Sequence, residues 1–168
     1  DFIFTNTFKQ MEYIITELHD KRGVKFEHEC YDISHLYNTH YFYSTGRLKG
    51  PIFLQFIFGI MGGIGADLEH LMHMKATADK LFGDDYVFSV LAAGRHQMNF
   101  TTQSALMGGS VRVGLEDSLF IGKGELATSN AQQVAKIRRI VEDLSLEVAT
   151  PDEAREILDL KGGDMVKF

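Results

Sequence analysis

The stretch KFEHECY, from Lys25 to Tyr31, indicates a β-strand with two unlike faces. Successive side chains of a strand point to opposite faces. Lys25, Glu27 and Glu29 therefore share one face, and a phenylalanine, a histidine and a cysteine share the other. A central strand of an open parallel sheet is covered by helices on both faces and is apolar on both. A charged face instead favours a sheet that curls around a polar interior, as in a (β/α) barrel.

Short apolar strands of this kind alternate with helical patterns along the chain. Parallel neighbours in a sheet need a helical crossover, so the alternation predicts an α/β fold with a parallel sheet. Gln55 and Ser89 add polar positions to further strands, and Arg112 and Glu116 share a face if the last strand keeps its geometry. These positions favour a barrel over an open doubly wound sheet. The predicted strands are Asp1–Asn6, Lys25–Cys30, Ile52–Phe58, Tyr86–Leu91 and Ser110–Gly114.

The predicted strands are too few to close a barrel alone, because closure takes eight. We therefore predict an α/β fold class in which residues 1–168 form a single partial domain. This domain is the C-terminal portion, about strands 4–8, of a TIM (β/α)₈ barrel. The sequence opens without Met and inside an apolar run. We expect the N-terminal strands of the barrel to lie upstream of Asp1.

Helices between these strands are indicated by apolar spacing and by residues that cap helix ends. Ser129-Asn-Ala-Gln132 predicts a capping box, and Thr150-Pro-Asp-Glu153 predicts a second helix start with Pro in the first turn. Gly23 and Gly83 are natural stops for the helices that precede them. Apolar residues at helical spacing define a first helix, at Phe8, Met11, Ile15 and Leu18, and a later one, at Val134, Ile137, Val141 and Leu144. A further helix is predicted over Ala66–Lys80.

The composition of the chain argues against a nucleic-acid partner and against a membrane-spanning segment. The net charge is −6 and Lys and Arg form no block, which argues against nucleic acid because that partner needs a basic face. The longest apolar run, Ile52–Phe58, is far shorter than the roughly 18–20 residues of a membrane span. Cys30 is the single cysteine, so no disulfide forms within the chain. This fits a reducing compartment, and we expect a cytoplasmic location.

The densest group of chemically capable residues is GGSVRVGLED, from Gly108 to Asp117. A strand ends, a glycine lets the backbone turn, and two adjacent carboxylates follow an arginine. Buried charges are costly unless they pair or bind a metal. Glu116 is a candidate hard oxygen ligand for a metal, and Asp117 is a candidate base held by Arg112. A structural cluster that braces the barrel rim remains the alternative, because ion-pair networks imitate active sites.

The same segment resembles the β-keto acid cleavage enzymes, whose best-known relative is the 3-keto-5-aminohexanoate cleavage enzyme. The resemblance rests on Val111-Arg-Val-Gly-Leu-Glu-Asp117, the preceding Gly-Gly pair and the downstream Ser129–Gln132. It extends in order over nearly the whole chain. The further matching segments are Phe26–Asp32, Gln55–Gly59 with Gly62-Gly63, Ser89–Gln97 and Ala149–Leu158.

This resemblance implies that the protein is a zinc enzyme with a TIM-barrel fold. It also implies the reaction, in which acyl groups are exchanged between a β-keto acid and acetyl-CoA to give acetoacetate and a new acyl-CoA. By analogy, Glu116 matches a zinc-ligand carboxylate, and Asp117 matches the base that takes a proton from the carbon between the keto and carboxylate groups. Arg112 matches the residue that orients this base. Glu29 matches the acid that contacts a distal amino group of the substrate. The resemblance also implies a homo-oligomer, a tetramer.

The sequence departs from the family pattern in its metal ligands. The family's other two zinc ligands are a His-x-His pair on an early strand, and no such pair occurs here. Catalytic zinc normally has three protein ligands. Either the pair lies upstream of Asp1, or this chain does not form a working metal site. A metal-dependent barrel lyase or aldolase without CoA, and a non-catalytic half-barrel, remain the alternative functions.

Other motifs have ordinary structural interpretations. His70 and His73 lie three apart on a helix, and we expect a solvent-facing surface rather than a metal site. The glycine-rich stretch Gly59–Gly65 departs from phosphate-binding patterns and predicts a strand–helix turn at the barrel mouth. Arg95-His96 follows a strand and either lines the pocket or starts a helix. Cys30 is expected to face the helices as a small apolar filler.

Overall fold

A computed structural model describes residues 5–165 of the chain. Its principal elements alternate between helix and strand up to residue 111. The strands are β1 (Glu27–Cys30), β2 (Ile52–Phe58), β3 (Tyr86–Ala92), β4 (Ser110–Val111), β5 (Phe120–Gly122) and β6 (Glu125–Leu126). The α-helices are α1 (Phe8–Ile14), α2 (Ile33–Ser44), α3 (Leu68–Phe82), α4 (Gln97–Leu106), α5 (Asn130–Asp143) and α6 (Pro151–Ile157), with a π-helix at Ile15–Asp20 and 3₁₀ turns at Gly94–His96 and Gly163–Met165.

The main sheet is parallel, with its four strands in the order β1-β2-β3-β4. In register, Glu29 lies beside Gln55, Gln55 beside Ser89, and Ser89 beside Ser110. A doubly wound sheet reverses its strand order at a switch point, whereas this order is sequential. The fold is therefore α/β with a parallel sheet, as predicted, and its topology is consistent with part of a (β/α) barrel.

The sheet curves so that residues of its first and last strands meet over one face. Neighbouring strands lie about 4.8 Å apart, so β1 and β4 would stand about 14 Å apart in a flat sheet. The Arg112 guanidinium, directly after β4, nevertheless reaches the Glu29 carboxylate on β1, with Nη1 and Oε1 3.1 Å apart. The face that carries these charges is therefore concave.

The opposite face of the sheet packs against the helices and forms the main core. Leu54, Phe56 and Phe58 are fully buried there, while Gln55 between them points to the concave face. Cys30 is 1% exposed and lies in the same core, which confirms that it faces the helices. The alternation of apolar and polar faces predicted for the strands is thus present in the structure.

Two strands are shorter than predicted. The first starts at Glu27 rather than Lys25, and the Lys25 ammonium pairs with Asp159 near the end of the described chain, at 2.8 Å. The last ends at Val111 rather than Gly114. The reason is a turn in which the Gly114 carbonyl accepts hydrogen bonds from the N–H groups of Asp117 and Ser118. The predicted strand Asp1–Asn6 falls largely outside the described residues.

The predicted helices are present, with shifted ends. The Ala66–Lys80 helix runs instead from Leu68 to Phe82, because the chain before it is held in the turn of the glycine-rich segment. The first helix continues from Ile14 as a π-helix to Asp20, ahead of Gly23, whose φ is 65°. Among the described residues, no helix is both long and apolar enough to cross a membrane.

The two predicted helix starts differ in outcome. At α6, Thr150 and Glu153 form a complete capping box with Pro in the first turn. At α5, the Ser129 hydroxyl accepts a hydrogen bond from the Gln132 N–H, as predicted. The Gln132 side chain, however, accepts from the N–H of Thr128, one residue before the cap, so the predicted reciprocal box is wrong in that half.

Candidate active site

The site is built on the turn that follows β4, from Arg112 to Asp117. The Arg112 N–H still donates to the Val90 carbonyl at 3.2 Å, so its side chain leaves the sheet in register with β3. The chain then turns at Gly114 and brings Glu116 and Asp117 back toward Arg112. Glu116 therefore approaches Arg112 through a turn, and not through the continued strand alternation that the sequence predicted.

Four hydrogen bonds from neighbouring elements fix this turn. Gln97 Nε2 on α4 donates to the Gly114 carbonyl at 3.0 Å, and the Leu115 N–H donates to Asn130 Oδ1 on α5 at 2.7 Å. The Gly94 N–H donates to the Asp117 carbonyl at 2.7 Å. Gln133 Nε2 donates to the Ser118 carbonyl at 2.6 Å. Each of these hydrogen bonds involves a backbone N–H or carbonyl group of the turn itself, so the neighbouring elements fix the path of its backbone.

The supporting residues Gln97 and Gln133 were not identified from the sequence. Both are buried, at 2% and 0% exposure. Gln97 and Gln133 lie near the starts of helices and bind backbone carbonyls that are 17 and 15 residues away in the chain. No sequence motif reveals such a contact between a side-chain amide and a distant backbone carbonyl. Asn130 was visible only as part of the Ser129–Gln132 motif, whose side chains the sequence assigned to helix capping.

A single guanidinium joins the acidic residues of the site. Arg112 Nη1 lies 3.1 Å from Glu29 Oε1, and Arg112 Nη2 donates to the Glu116 carboxylate. Arg112 Nε lies 3.4 Å from Asp117 Oδ2, which is an ion-pair distance and not a hydrogen bond. The structure therefore brings together all four residues that the sequence singled out. With one cation among three carboxylates, the group has a formal charge of −2 when all are ionised.

Asp117 is the most enclosed of the three carboxylates. Its side chain is 9% exposed, against 42% for Glu29 and 76% for Glu116. Its Oδ2 is buried and accepts no hydrogen bond from the described residues. Burial raises the pKa of Asp117, Arg112 opposes this, and Glu116 and Glu29 raise it further. A carboxylate with a raised pKa and an oxygen that accepts no hydrogen bond is well suited to take a proton.

Glu29 has a donor on each carboxylate oxygen. Arg112 binds Oε1, and the Tyr31 hydroxyl donates to Oε2 at 2.9 Å. Gln55 and Ser89 occupy the concave face beside it, where the Ser89 hydroxyl bonds the Gln55 side-chain amide at 2.7 Å. This amide also lies within 2.6 Å of the Glu27 carboxylate. A polar layer therefore continues from the charged cluster into the concave face.

The described residues do not form a complete metal site. Among the side chains that the structure describes, no group of three His, Cys, Asp or Glu is placed to hold one ion. The Glu116 carboxylate is exposed, at 76% of its side chain, so it fits the role of one oxygen ligand. The described residues therefore offer one candidate metal ligand, Glu116.

The histidines and the glycine-rich segment have structural contacts. His70 Nδ1 lies 2.9 Å from the Gly65 carbonyl, and His73 is exposed. Arg95 and His96 form a 3₁₀ turn beside the site and contact each other, with Arg95 Nε 3.2 Å from His96 Nε2. Burial raises the pKa of Cys30 to about 12, which removes the thiolate that a nucleophile needs.

Comparison with known proteins agrees with these motifs. A model of the family described as beta-keto acid cleavage enzyme matches residues 1–160. A 3,5-dioxohexanoate:acetyl-CoA acetone transferase of Paraburkholderia graminis is 54% identical over 168 residues, covering 100% of this chain and 54% of the relative. A 3-dehydrocarnitine:acetyl-CoA trimethylamine transferase of Rhizobium meliloti is 36% identical, over 95% of this chain and 51% of the relative. A 3-keto-5-aminohexanoate cleavage enzyme of Fusobacterium nucleatum is 35% identical, over 93% of this chain and 54% of the relative.

The chain spans about half the length of the curated relatives it matches. The family match nevertheless covers nearly all of the chain and includes the whole Arg112–Asp117 segment. The resemblance predicted from the sequence motifs is thereby confirmed, and the chain belongs to the beta-keto acid cleavage enzyme family.

Proposed function

We propose that this chain supplies the base and its charged support in an enzyme that exchanges acyl groups between a β-keto acid and acetyl-CoA. The products are acetoacetate and a new acyl-CoA. The observation that carries the proposal is the buried Asp117 Oδ2, which accepts no hydrogen bond from the described residues and lies 3.4 Å from Arg112 Nε, at the carboxyl end of the parallel sheet. Relatives named as acetyl-CoA-dependent transferases support the choice of reaction.

In the proposed first step, Asp117 takes a proton from the carbon between the keto and carboxylate groups. The electron pair left on that carbon is delocalised into the ketone as an enolate. The pKa of Asp117, raised by burial, makes the carboxylate a stronger base than one in water. Arg112 keeps the base ionised and oriented through its charge. Asp117 thus acts on the substrate, while Arg112 acts through Asp117.

In the remaining steps one carbon–carbon bond forms and another breaks, and the acetyl thioester is replaced by a new acyl thioester. The enolate carbon attacks the thioester carbonyl of acetyl-CoA, and the CoA thiolate leaves. The thiolate then attacks the original keto carbonyl, and the bond from that carbonyl to the former enolate carbon breaks. The acyl group departs as acyl-CoA, and the carbanion returns as acetoacetate after it recovers the proton from Asp117.

Charge balance supports a further cation at the site. A β-keto acid is an anion, and the described cluster already has more carboxylates than its single guanidinium neutralises. An anionic substrate beside this cluster needs additional positive charge. We propose that zinc supplies it, with Glu116 as one ligand and the other ligands outside the described residues. When bound, such an ion polarises a keto oxygen and stabilises negative charge there.

The zinc proposal predicts a loss of metal on removal of one ligand oxygen. We expect purified protein with Glu116→Gln to contain clearly less zinc than wild type when measured by atomic emission after dialysis. Glu125→Gln, in the exposed β6, is the matched control and retains the wild-type zinc content. Equal zinc in the Glu116→Gln and control variants would refute the assignment of Glu116.

The acyl exchange predicts that acetyl-CoA is an obligatory reactant. A panel of β-keto acids is incubated with the purified protein, and acetoacetate and new acyl-CoA are measured by mass spectrometry. We expect both products only when acetyl-CoA is present. Cleavage of the β-keto acid without acetyl-CoA would instead identify a metal-dependent lyase or aldolase, and no turnover of any panel member would favour the non-catalytic half-barrel.

We also propose that the sheet belongs to an eight-stranded TIM barrel in a cytoplasmic homo-oligomer, a tetramer. The sequential strand order and the curvature between β1 and β4 support the barrel. The relatives' length leaves room for the remaining strands. The buried single cysteine, Cys30, supports a reducing compartment, and exposed apolar side chains at Leu119, Phe120 and Leu126 of the β5–β6 hairpin support subunit contacts.

A further inference from the structure

Tyr31, at the carboxyl end of β1, is held in place from two sides. Its N–H donates to His35 Nδ1 on α2 at 3.0 Å, and its carbonyl accepts from the Ile64 N–H at 2.7 Å. Gly63 packs so closely beneath it that a Cβ there would lie 2.8 Å from the Tyr31 carbonyl oxygen. The backbone of Tyr31 is therefore anchored both to α2 and to the glycine-rich segment Gly59–Gly65.

The Tyr31 side chain points back over its own strand to Glu29. Residues two apart on a strand share a face, and the Tyr31 hydroxyl donates to Glu29 Oε2 at 2.9 Å. Partial burial and this hydrogen bond raise the pKa of Tyr31, so its hydroxyl stays protonated and remains a donor. The other Glu29 oxygen holds Arg112 Nη1 at 3.1 Å. Tyr31 therefore holds the Glu29 carboxylate, and this carboxylate in turn holds Arg112.

Arg112 is the group that needs such support. Its guanidinium is shared among Glu29, Glu116 and Asp117, and Glu116, with a side chain 76% exposed, competes for it from the solvent side. Glu29 itself is 42% exposed, so packing alone does not fix its side chain. Without the Tyr31 hydroxyl, Glu29 loses the partner that fixes its carboxylate plane. Arg112 is then free to turn toward Glu116 and away from Asp117.

We propose that Tyr31 is a positioning residue for the base, acting through Glu29 and Arg112 to hold the guanidinium beside Asp117. This inference rests on the proposed acyl exchange. It also gives Glu29 a second role beside the recognition of a distal amino group, to which the family resemblance matched it. Each Glu29 oxygen has a donor within the protein, and one of these donors is Arg112, so this carboxylate places Arg112.

The experiment is a double-mutant cycle with Tyr31→Phe and Glu29→Gln in the purified full-length protein. The readouts are kcat, the KM for acetyl-CoA, and the rate of hydrogen–deuterium exchange at the substrate carbon without acetyl-CoA. We expect Tyr31→Phe to lower kcat and the exchange rate in parallel by roughly tenfold, the scale of one hydrogen bond to a charged group. The KM for acetyl-CoA stays unchanged. The double variant is no slower than Glu29→Gln alone.

Tyr37→Phe, which removes a hydroxyl from the exposed side of α2, is the matched control and keeps wild-type kinetics. Wild-type kinetics for Tyr31→Phe as well would overturn the inference. Losses from Tyr31→Phe and Glu29→Gln that multiply would also overturn it, because Tyr31 would then act independently of Glu29. If Tyr31→Phe lowers the melting temperature more than the control does, the comparison of the double variant with Glu29→Gln alone still tests whether Tyr31 acts through Glu29. Absence of exchange in the wild-type protein would refute the proposed function instead.

Discussion

Asp117→Asn is expected to lower the rate of acyl exchange by on the order of 10²–10⁴-fold, the usual contribution of a positioned general base. Asparagine has nearly the same shape as aspartate but cannot accept the proton. The buried Oδ2 makes no hydrogen bond with the described residues, so the substitution weakens the ion pair with Arg112 but breaks no hydrogen bond that holds the turn. It also removes one negative charge from a cluster with excess carboxylates. We therefore expect the fold to be retained and the chemistry to be lost.

The measurements are kcat, hydrogen–deuterium exchange at the substrate carbon, and the melting temperature. Both rates fall together in Asp117→Asn, and the melting temperature stays at or above that of wild type. Asp143→Asn, at the exposed end of α5, is the matched control and leaves all three unchanged. Exchange at the wild-type rate in Asp117→Asn would show that another group is the base.

Arg112→Gln is expected to reduce both activity and stability. It leaves the carboxylates of Glu29, Glu116 and Asp117 facing one another without the cation that joins them. Loss of charged hydrogen bonds and ion pairs at a side chain 31% exposed destabilises the fold by about 1–3 kcal/mol. We expect kcat to fall by on the order of 10²-fold, because like charges raise the pKa of Asp117 and its orientation is lost.

Arg112→Lys separates the charge of Arg112 from its geometry. Lysine provides one ammonium, whereas the guanidinium reaches three carboxylates with three different nitrogens. We expect Arg112→Lys to recover most of the stability in urea unfolding and little of the kcat. Arg138→Gln, which breaks an exposed ion pair with Glu142 on α5, leaves both quantities unchanged. Full kcat in Arg112→Lys would contradict a geometric role for the guanidinium.

The sequence predicted the strands well where burial alone defines them. Ile52–Phe58 has the bounds that were predicted, because its apolar residues, interrupted only by Gln55, pack against the helices and the neighbouring strands. The predicted strand Ser110–Gly114 was wrong beyond Val111, because hydrogen bonds to the Gly114 carbonyl form a turn that alternation cannot reveal. Lys25 left its predicted strand for an ion pair with Asp159, which is distant in the sequence.

The charged residues of the site were predictable, and their supports were not. Arg112, Glu116 and Asp117 stand out because adjacent charges at a strand end need partners. Alternation places Glu29 on the polar face of β1, and the family resemblance singled it out there. Tyr31 was overlooked because an aromatic side chain at a strand end is ordinary. Its role became visible only from the hydrogen bond to Glu29 and from the close approach of Gly63 to its backbone.

The most direct test of the proposed acyl exchange follows the acetyl carbons. The purified protein is incubated with an unlabelled β-keto acid and with acetyl-CoA that carries ¹³C in both acetyl carbons, and the products are analysed by NMR and mass spectrometry. We predict that the label appears only in the ketone and methyl carbons of acetoacetate, and that the new acyl-CoA is unlabelled. Unlabelled acetoacetate, or label in the new acyl-CoA, would contradict the account.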